Sequence, residues 1–203
     1  MSLVGDAKMS GAEDTFFSDG GHENMVPPRP LRASRETIEK YAEVIAREYL
    51  NLSYGDDIQH AVIKAGGKIV IGSTGENTSN SGSLIARSRN DFTIYLSPFT
   101  SLLRDRFTIA HELGHLFLHL ENSLEGNPST SMYATRYVDE KNEEAMRAEW
   151  EANWFAAALL MPATKFAEVY KTNGDDLTKT ADFFKVSSAA ASVRANSLDL
   201  LKS

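Results

Sequence analysis

The sequence predicts an α+β protein that is mostly helical, with a small sheet of about three strands before a long central helix. Apolar residues recur at three- and four-residue spacing in two long segments, 106–120 and 140–161, which is typical of amphipathic helices. Three short runs with strand-like composition lie between residues 68 and 96, separated by turn residues. Together these observations favour helices packed around a minor sheet.

The first elements follow from caps and turn residues. Residues 1–30 are rich in Gly, Ser, Asp and Pro and predict a disordered N-terminal tail. A helix is predicted from Ser34, its cap, to about Asn51, and a shorter one to Ala65 with Asp56 or Asp57 as its cap. Strands are then predicted at 68–71, 82–87 and 92–96, the last two forming a hairpin.

The second half is predicted to be helical. The central helix begins at Ser97-Pro98 or just after a turn there, and a polar loop follows at 121–139. A second long helix is predicted from Glu140 to Met161, where Pro162 ends it. Shorter helices are predicted at 163–171, 176–185 and 187–200.

Composition limits the class of protein. The chain has 203 residues, of which 42% are hydrophobic and 24% charged, which is typical of a globular protein with one domain and a small appendage. A net charge of −7 predicts no direct nucleic-acid binding. Without cysteine, a metal must be held by His and carboxylate. No signal peptide or membrane-spanning run is recognised, so a cytoplasmic location is expected, while the oligomeric state stays open.

The central helix contains the motif HExxH, formed by His111, Glu112 and His115. Two imidazoles one helical turn apart can bind one metal, and the intervening Glu can take a proton from a water that the metal activates. The alternative is an ordinary amphipathic helix with two histidines. The apolar stripe and Gly114, whose cost in a helix suggests a close packing partner, favour the metal site.

A catalytic zinc needs a third protein ligand. His119 lies about 12 Å along the helix axis from His111, too far for both to bind one metal. The second long helix offers Glu149 and Glu151, which point to different sides. Glu149 is favoured because Asn153 shares its face and can orient a ligating imidazole, whereas Glu151 can pair with an arginine one turn away.

Two blocks, RFTIAHELGHLFLH at 106–119 and EWEANWFAAALLMP at 149–162, resemble the ImmA/IrrE family of metallo-endopeptidases. The resemblance extends over residues 34–171 and implies a zincin-like fold of the gluzincin kind, with a peptidase domain at 31–171. It implies His111, His115 and Glu149 as metal ligands and Glu112 as the base. The expected metal is Zn²⁺, with Mn²⁺ or Fe²⁺ as alternatives.

The resemblance also implies a substrate class, namely helix-turn-helix repressors of the Xre type whose cleavage turns on mobile-element or stress-response genes. Two alternatives stay open: a non-proteolytic, metal-bound regulator or partner-binding protein, and a zinc hydrolase that acts as a toxin. Intact Glu112 favours catalysis, because a purely structural zinc needs no base.

Other functional features are less defined. Residues 172–203 have helix-turn-helix-like spacing, and the four basic and three acidic side chains of 176–203 favour packing on the catalytic domain over DNA binding. Tyr133, Arg136 and Tyr137 are candidates for contacting the substrate or its oxyanion, or are ordinary rim residues. The strands at 82–96 are a candidate surface for an extended peptide.

Overall fold

The computed structural model describes residues 24–72, 83–127, 129–135 and 139–201. Within these ranges the chain forms seven α-helices and one five-stranded sheet, which confirms the predicted α+β class. The sheet has two strands more than expected. The long helix with the HExxH motif follows the strands that were predicted to precede it.

The helices are α1 Arg35–Val44, α2 Ile58–Lys64, α3 Leu102–Leu124, α4 Glu143–Leu160, α5 Ala163–Thr172, α6 Leu177–Phe184 and α7 Ser188–Ser197. The strands are β1 Asn24–Val26, β2 Gly67–Ile71, β3 Ser83–Ser88, β4 Asp91–Leu96 and β5 Thr130–Thr135. A π-helical turn, Ile45–Tyr49, continues α1.

Side-chain caps set most helix starts. The Ser34 hydroxyl accepts a hydrogen bond from the amide of Thr37, and the Asp57 carboxylate accepts one from Gln59. Helix α3 begins later than the Ser97-Pro98 signal, because Ser101 is its cap and the earlier residues form a turn. Helix α4 likewise begins at Glu143, after the Asn142 cap, rather than at Glu140.

The sheet has the order β1-β5-β3-β4-β2. Strand β3 is antiparallel to β4, as the predicted hairpin requires, and also to β5, while β1 and β2 add in parallel at the two edges. The prediction of 82–96 as an exposed edge for a peptide is therefore wrong. Both strands of that hairpin are already paired on both sides.

Two strands were missed for a physical reason. Strand β5 lies inside the predicted loop at 121–139, and its small polar residues Thr130 and Ser131 are buried by tertiary contacts that no local pattern reveals. Strand β1 has only three residues and lies in the segment predicted to be a disordered tail. That prediction is wrong for residues 24–26, and for residues 1–23 it lies outside the described residues.

Helix α3 lies at the centre of the core, where it packs on α4 and on the sheet. The contact with α4 is close at Gly114: a Cβ at that position would lie 2.9 Å from Cα of Ala152 and 3.0 Å from its carbonyl oxygen. The close packing partner expected for this glycine is therefore the backbone of α4. Such an approach brings side chains of the two helices together.

The C-terminal helices contact the rest of the chain through a buried arginine. On α7, Arg194 is 1% exposed; its Nε donates to the carbonyl of Met161, 2.9 Å away, and its terminal nitrogens bind Glu39 of α1 at 2.9 and 3.1 Å. These bonds join α7 to α1 and to the end of α4. The functional division at residue 172 stays a prediction.

Within the described ranges, none of the helices combines the length and the apolar character needed to cross a bilayer.

Enlarging Gly114 is expected to destabilise the fold. Alanine gains helix propensity, but its Cβ would meet the backbone of α4, so we expect Gly114→Ala to lower the free energy of unfolding by about 1 kcal/mol. Gly114→Val should lower it further. Urea denaturation measures both values, and an alanine variant as stable as the parent would contradict the close contact.

Breaking the Arg194–Glu39 ion pair is expected to lower the free energy of unfolding more than Gly114→Ala does. Glu39→Gln leaves a buried guanidinium without its counter-charge and should lower the free energy of unfolding by about 3 kcal/mol at neutral pH. Glu36→Gln, which breaks the exposed pair with Lys40 on the same helix, is the matched control and should leave the denaturation midpoint nearly unchanged.

The destabilisation caused by Glu39→Gln should depend on pH. Burial raises the pKa of Glu39, but hydrogen bonds from Arg194 and Arg35 outweigh it, and the pKa lies below its ordinary value. A lowered pKa stabilises the folded state above the pKa of the unfolded chain, and this contribution is lost as the pH falls through the folded value. The difference between parent and Glu39→Gln should therefore shrink in acid. A constant difference would contradict the ion pair.

Candidate metal centre

Helices α3 and α4 bring three side chains to one point. The Nε2 atoms of His111 and His115 lie 3.1 Å apart, and the Glu149 carboxylate oxygens lie 3.2 Å from the first and 3.0 Å from the second. Both histidines are buried, and the side chain of Glu149 is 16% exposed. Among the described residues, these three form the group that could hold a metal ion.

The donor set fits a metal. The other ring nitrogens, Nδ1 of each histidine, are already engaged elsewhere, so two imidazole lone pairs and a carboxylate meet at the centre. Three acceptors repel one another unless a cation or a proton lies between them. Bonds of about 2.0–2.1 Å to one tetrahedral ion place ligand atoms about 3.3 Å apart, close to the observed separations.

Electrostatics favour the charged form of Glu149. Burial raises the pKa of this carboxyl, but its contacts with His111 and His115 outweigh burial and hold the pKa well below its usual range. The carboxylate is therefore ionised at neutral pH. An ionised oxygen is the form that a metal ligand requires.

Asn153 lies one turn beyond Glu149 on α4, and the structure places it against the first histidine of the motif. Nδ1 of His111 donates to the Asn153 side-chain oxygen over 3.0 Å. This bond holds the proton on Nδ1 and leaves Nε2 facing the cluster. The predicted contact of Asn153 with a histidine of the motif is therefore present, and its role in orienting a metal ligand stays a prediction.

A second polar group lies behind the cluster. His119 is 0% exposed; its Nδ1 lies 3.0 Å from Nδ1 of His115, and its Nε2 lies 3.1 Å from the Glu151 carboxylate. Burial lowers the pKa of His119 to about 4, although the hydrogen bond to Glu151 opposes this shift. His119 is therefore neutral at physiological pH.

Glu151 pairs with Arg147, as the spacing on α4 suggested, at 2.8 Å from Nε. Its contact with His119 was not foreseen. The helical spacing of four residues from His115 to His119 was a signal that they touch, but the carboxylate partner depends on how α4 is rotated against α3. Burial raises the pKa of Glu151, and bonds from His119 and Arg147 bring it below its ordinary value.

The structure describes three of the five remaining candidate residues. Glu112 is buried on α3 between the two histidines of the motif. Tyr133 is half-buried on β5, in register with Ile85 of β3, and its role in substrate binding stays a prediction. Arg136 and Tyr137 lie outside the described residues. His60 is exposed on α2.

The fold and the site define the class of the protein: a metallopeptidase-type domain with an HExxH helix and a carboxylate contributed by the following helix. The sequence model of the IrrE N-terminal-like domain matches residues 75–196, more than half of the chain, and the chain belongs to this metallopeptidase family. The resemblance drawn from the two sequence blocks is thereby confirmed.

The similarity to a solved structure supports the fold alone. A solved structure of a Mycobacterium tuberculosis transcriptional regulator is similar, with a TM-score of 0.53 and 17% sequence identity. The similarity covers 79% of this chain and 46% of the regulator, so the chain spans about half of that protein's length. No curated protein gives a significant match.

Removing Glu149, the candidate carboxylate ligand, is expected to weaken metal binding. Glu149→Ala leaves two imidazoles, and the variant should fail to retain one equivalent of zinc through dialysis that the parent withstands. Elemental analysis measures the metal content. Glu168→Ala, which removes an exposed glutamate of α5, is the control and should retain zinc like the parent. Equal retention by Glu149→Ala would remove this residue from the metal centre.

Proposed function

We propose that this chain is a zinc-dependent endopeptidase that cleaves a helix-turn-helix repressor of the Xre type. Cleavage would derepress mobile-element or stress-response genes in the cytoplasm. The observation that supports the proposal most directly is the convergence of His111, His115 and Glu149 beside a buried glutamate on the HExxH helix. Membership of a metallopeptidase family supports the reaction type.

Each residue has a distinct task in the proposed reaction. His111, His115 and Glu149 bind the metal through two nitrogens and one oxygen. Zinc, when bound, supplies a Lewis acid that polarises the scissile carbonyl and lowers the pKa of the attacking water. Glu112 accepts the proton of that water and delivers it to the leaving amine. Asn153 keeps His111 in the tautomer that binds metal.

The choice of zinc rests on the ligands. Two imidazoles and one carboxylate leave a fourth position open, which is the usual arrangement of a catalytic zinc. Mn²⁺ and Fe²⁺ accept the same donor types and are the alternatives. The chain has no cysteine, so thiolate-rich metal sites are excluded.

The substrate class is supported less directly. The sequence resembles ImmA/IrrE peptidases, which are linked to repressor cleavage, and the similar solved structure is described as a transcriptional regulator. The net charge of −7 argues that the chain reaches its target through protein contacts rather than by binding DNA. Tyr133, Arg136 and Tyr137 are proposed to contact the substrate or the developing oxyanion.

Removing the base is expected to abolish cleavage while leaving the metal bound. Glu112→Gln keeps the size of the side chain but cannot accept a proton, so the rate should fall at least about 100-fold. The measurement combines the zinc-loaded protein with a purified helix-turn-helix regulator of the Xre type and follows a discrete cleavage by mass spectrometry. Zinc content should equal that of the parent.

The matched control is Glu121→Gln, which changes an exposed glutamate on the same helix and should leave the cleavage rate unchanged. Binding of the regulator without cleavage would contradict the endopeptidase and favour the non-proteolytic regulator. Cleavage of the regulator by Glu112→Gln at the parent rate would remove Glu112 from the mechanism.

A further inference from the structure

A buried chain of hydrogen bonds leads away from the proposed metal centre. It runs from Nδ1 of His115 to Nδ1 of His119, over 3.0 Å, and from Nε2 of His119 to the Glu151 carboxylate, over 3.1 Å. The three residues, which we call the histidine–carboxylate chain, are 1%, 0% and 0% exposed. No task in the proposed reaction explains why two of them, His119 and Glu151, are buried.

Glu151 is held in place by obligatory donors. Nε of Arg147 donates to one carboxylate oxygen at 2.8 Å, and the backbone amide of Leu31 donates to the other at 2.7 Å. The second oxygen also faces Nε2 of His119. With donors already on both oxygens, Glu151 acts as the acceptor in its contact with the imidazole.

The direction of the hydrogen bond between His119 and Glu151 sets the direction of the hydrogen bond between His115 and His119. Because Glu151 accepts, Nε2 of His119 carries the hydrogen, and Nδ1 is then the ring atom that accepts. Two Nδ1 atoms at 3.0 Å need one hydrogen between them, which His115 must supply. His115 therefore has its hydrogen on Nδ1 and its lone pair on Nε2, the atom that faces Glu149 and His111.

We propose that His119 and Glu151 are positioning residues that fix the metal-binding tautomer and ring orientation of His115. The inference rests on the proposed metal centre and extends it to two residues that do not touch the metal. It gives the two glutamates of α4 separate roles: Glu149 faces the cluster, and Glu151 faces His119, behind the second histidine of the motif.

The two ligating histidines are thus supported differently. His111 is oriented by the amide of Asn153, an exposed residue, in a single hydrogen bond. His115 is oriented by the buried histidine–carboxylate chain, which ends on an arginine and on the backbone of the N-terminal segment. The three members of this chain are almost completely buried, and buried hydrogen bonds of this kind orient a ligating imidazole.

The first test reads the tautomer directly. Long-range proton–nitrogen NMR spectra of the metal-free full-length parent should show His115 protonated on Nδ1. In His119→Leu, which removes the acceptor, His115 should gain the Nε2-protonated form, while the signals of His111 stay unchanged. Absence of a proton on Nδ1 of His115 in the parent would overturn the proposal without any variant.

The second test measures zinc affinity by competition with a chelating indicator. His119→Leu should weaken zinc binding about 10–100-fold, the range for loss of a partner that orients a ligand. His119→Asn restores an acceptor oxygen near the Nδ1 position and should recover most of the affinity. His60→Leu, at an exposed histidine of α2, is the matched control and should bind zinc like the parent.

The outcomes separate this inference from the proposed function. If the parent binds zinc but cleaves no regulator, the endopeptidase fails and the positioning role stands. If His119→Leu, with a parent-like denaturation midpoint, binds zinc as tightly as the parent, the positioning role fails. If His119→Asn and His119→Leu lose affinity equally, the effect of residue 119 is packing, and the proposal is overturned.

Discussion

The close approach of α3 and α4 at Gly114 and Ala152 is the contact on which the candidate metal centre depends. Because Gly114 has no Cβ, the backbones can meet, and imidazoles from one helix reach carboxylates of the other at 3.0–3.2 Å. A larger residue would separate the ligand atoms even if every ligand were kept. The loss of helix propensity at a mid-helix glycine is offset by the packing that it permits.

The sequence was sufficient for the parts of the site that lie on one helix face. HExxH places His111 and His115 together, and the four-residue spacing of Glu149 and Asn153 predicted that both face the same histidine pair. The rise of the helix separated His119 from the ligands, and the structure places it one hydrogen bond away from His115. The contact of His119 with Glu151 was not predictable, because it depends on the relative rotation of two helices.

The fold, like the site, was predictable where it depends on residues close in sequence and not where it depends on distant ones. Helix positions follow from apolar spacing and caps such as Ser34 and Asp57, which act over three residues. The order of strands in the sheet does not follow from such local signals, because β1 and β5 are defined by pairing with distant partners. The buried polar residues of β5 gave no apolar signal, and the true edges of the sheet, β1 and β2, emerge only once β3 is paired on both sides.

The contact between Leu31 and Glu151 has a consequence for how the protein folds. These residues are 120 positions apart in the chain, and the neighbouring bond from Arg29 to Ser123 spans 94. Closing loops of this size is entropically costly and offers no reward until α3 and α4 are already packed. We therefore expect the N-terminal segment to dock late on the folding pathway. A folding intermediate would then have its candidate metal ligands on packed helices while the hydrogen bonds behind His115 are still incomplete.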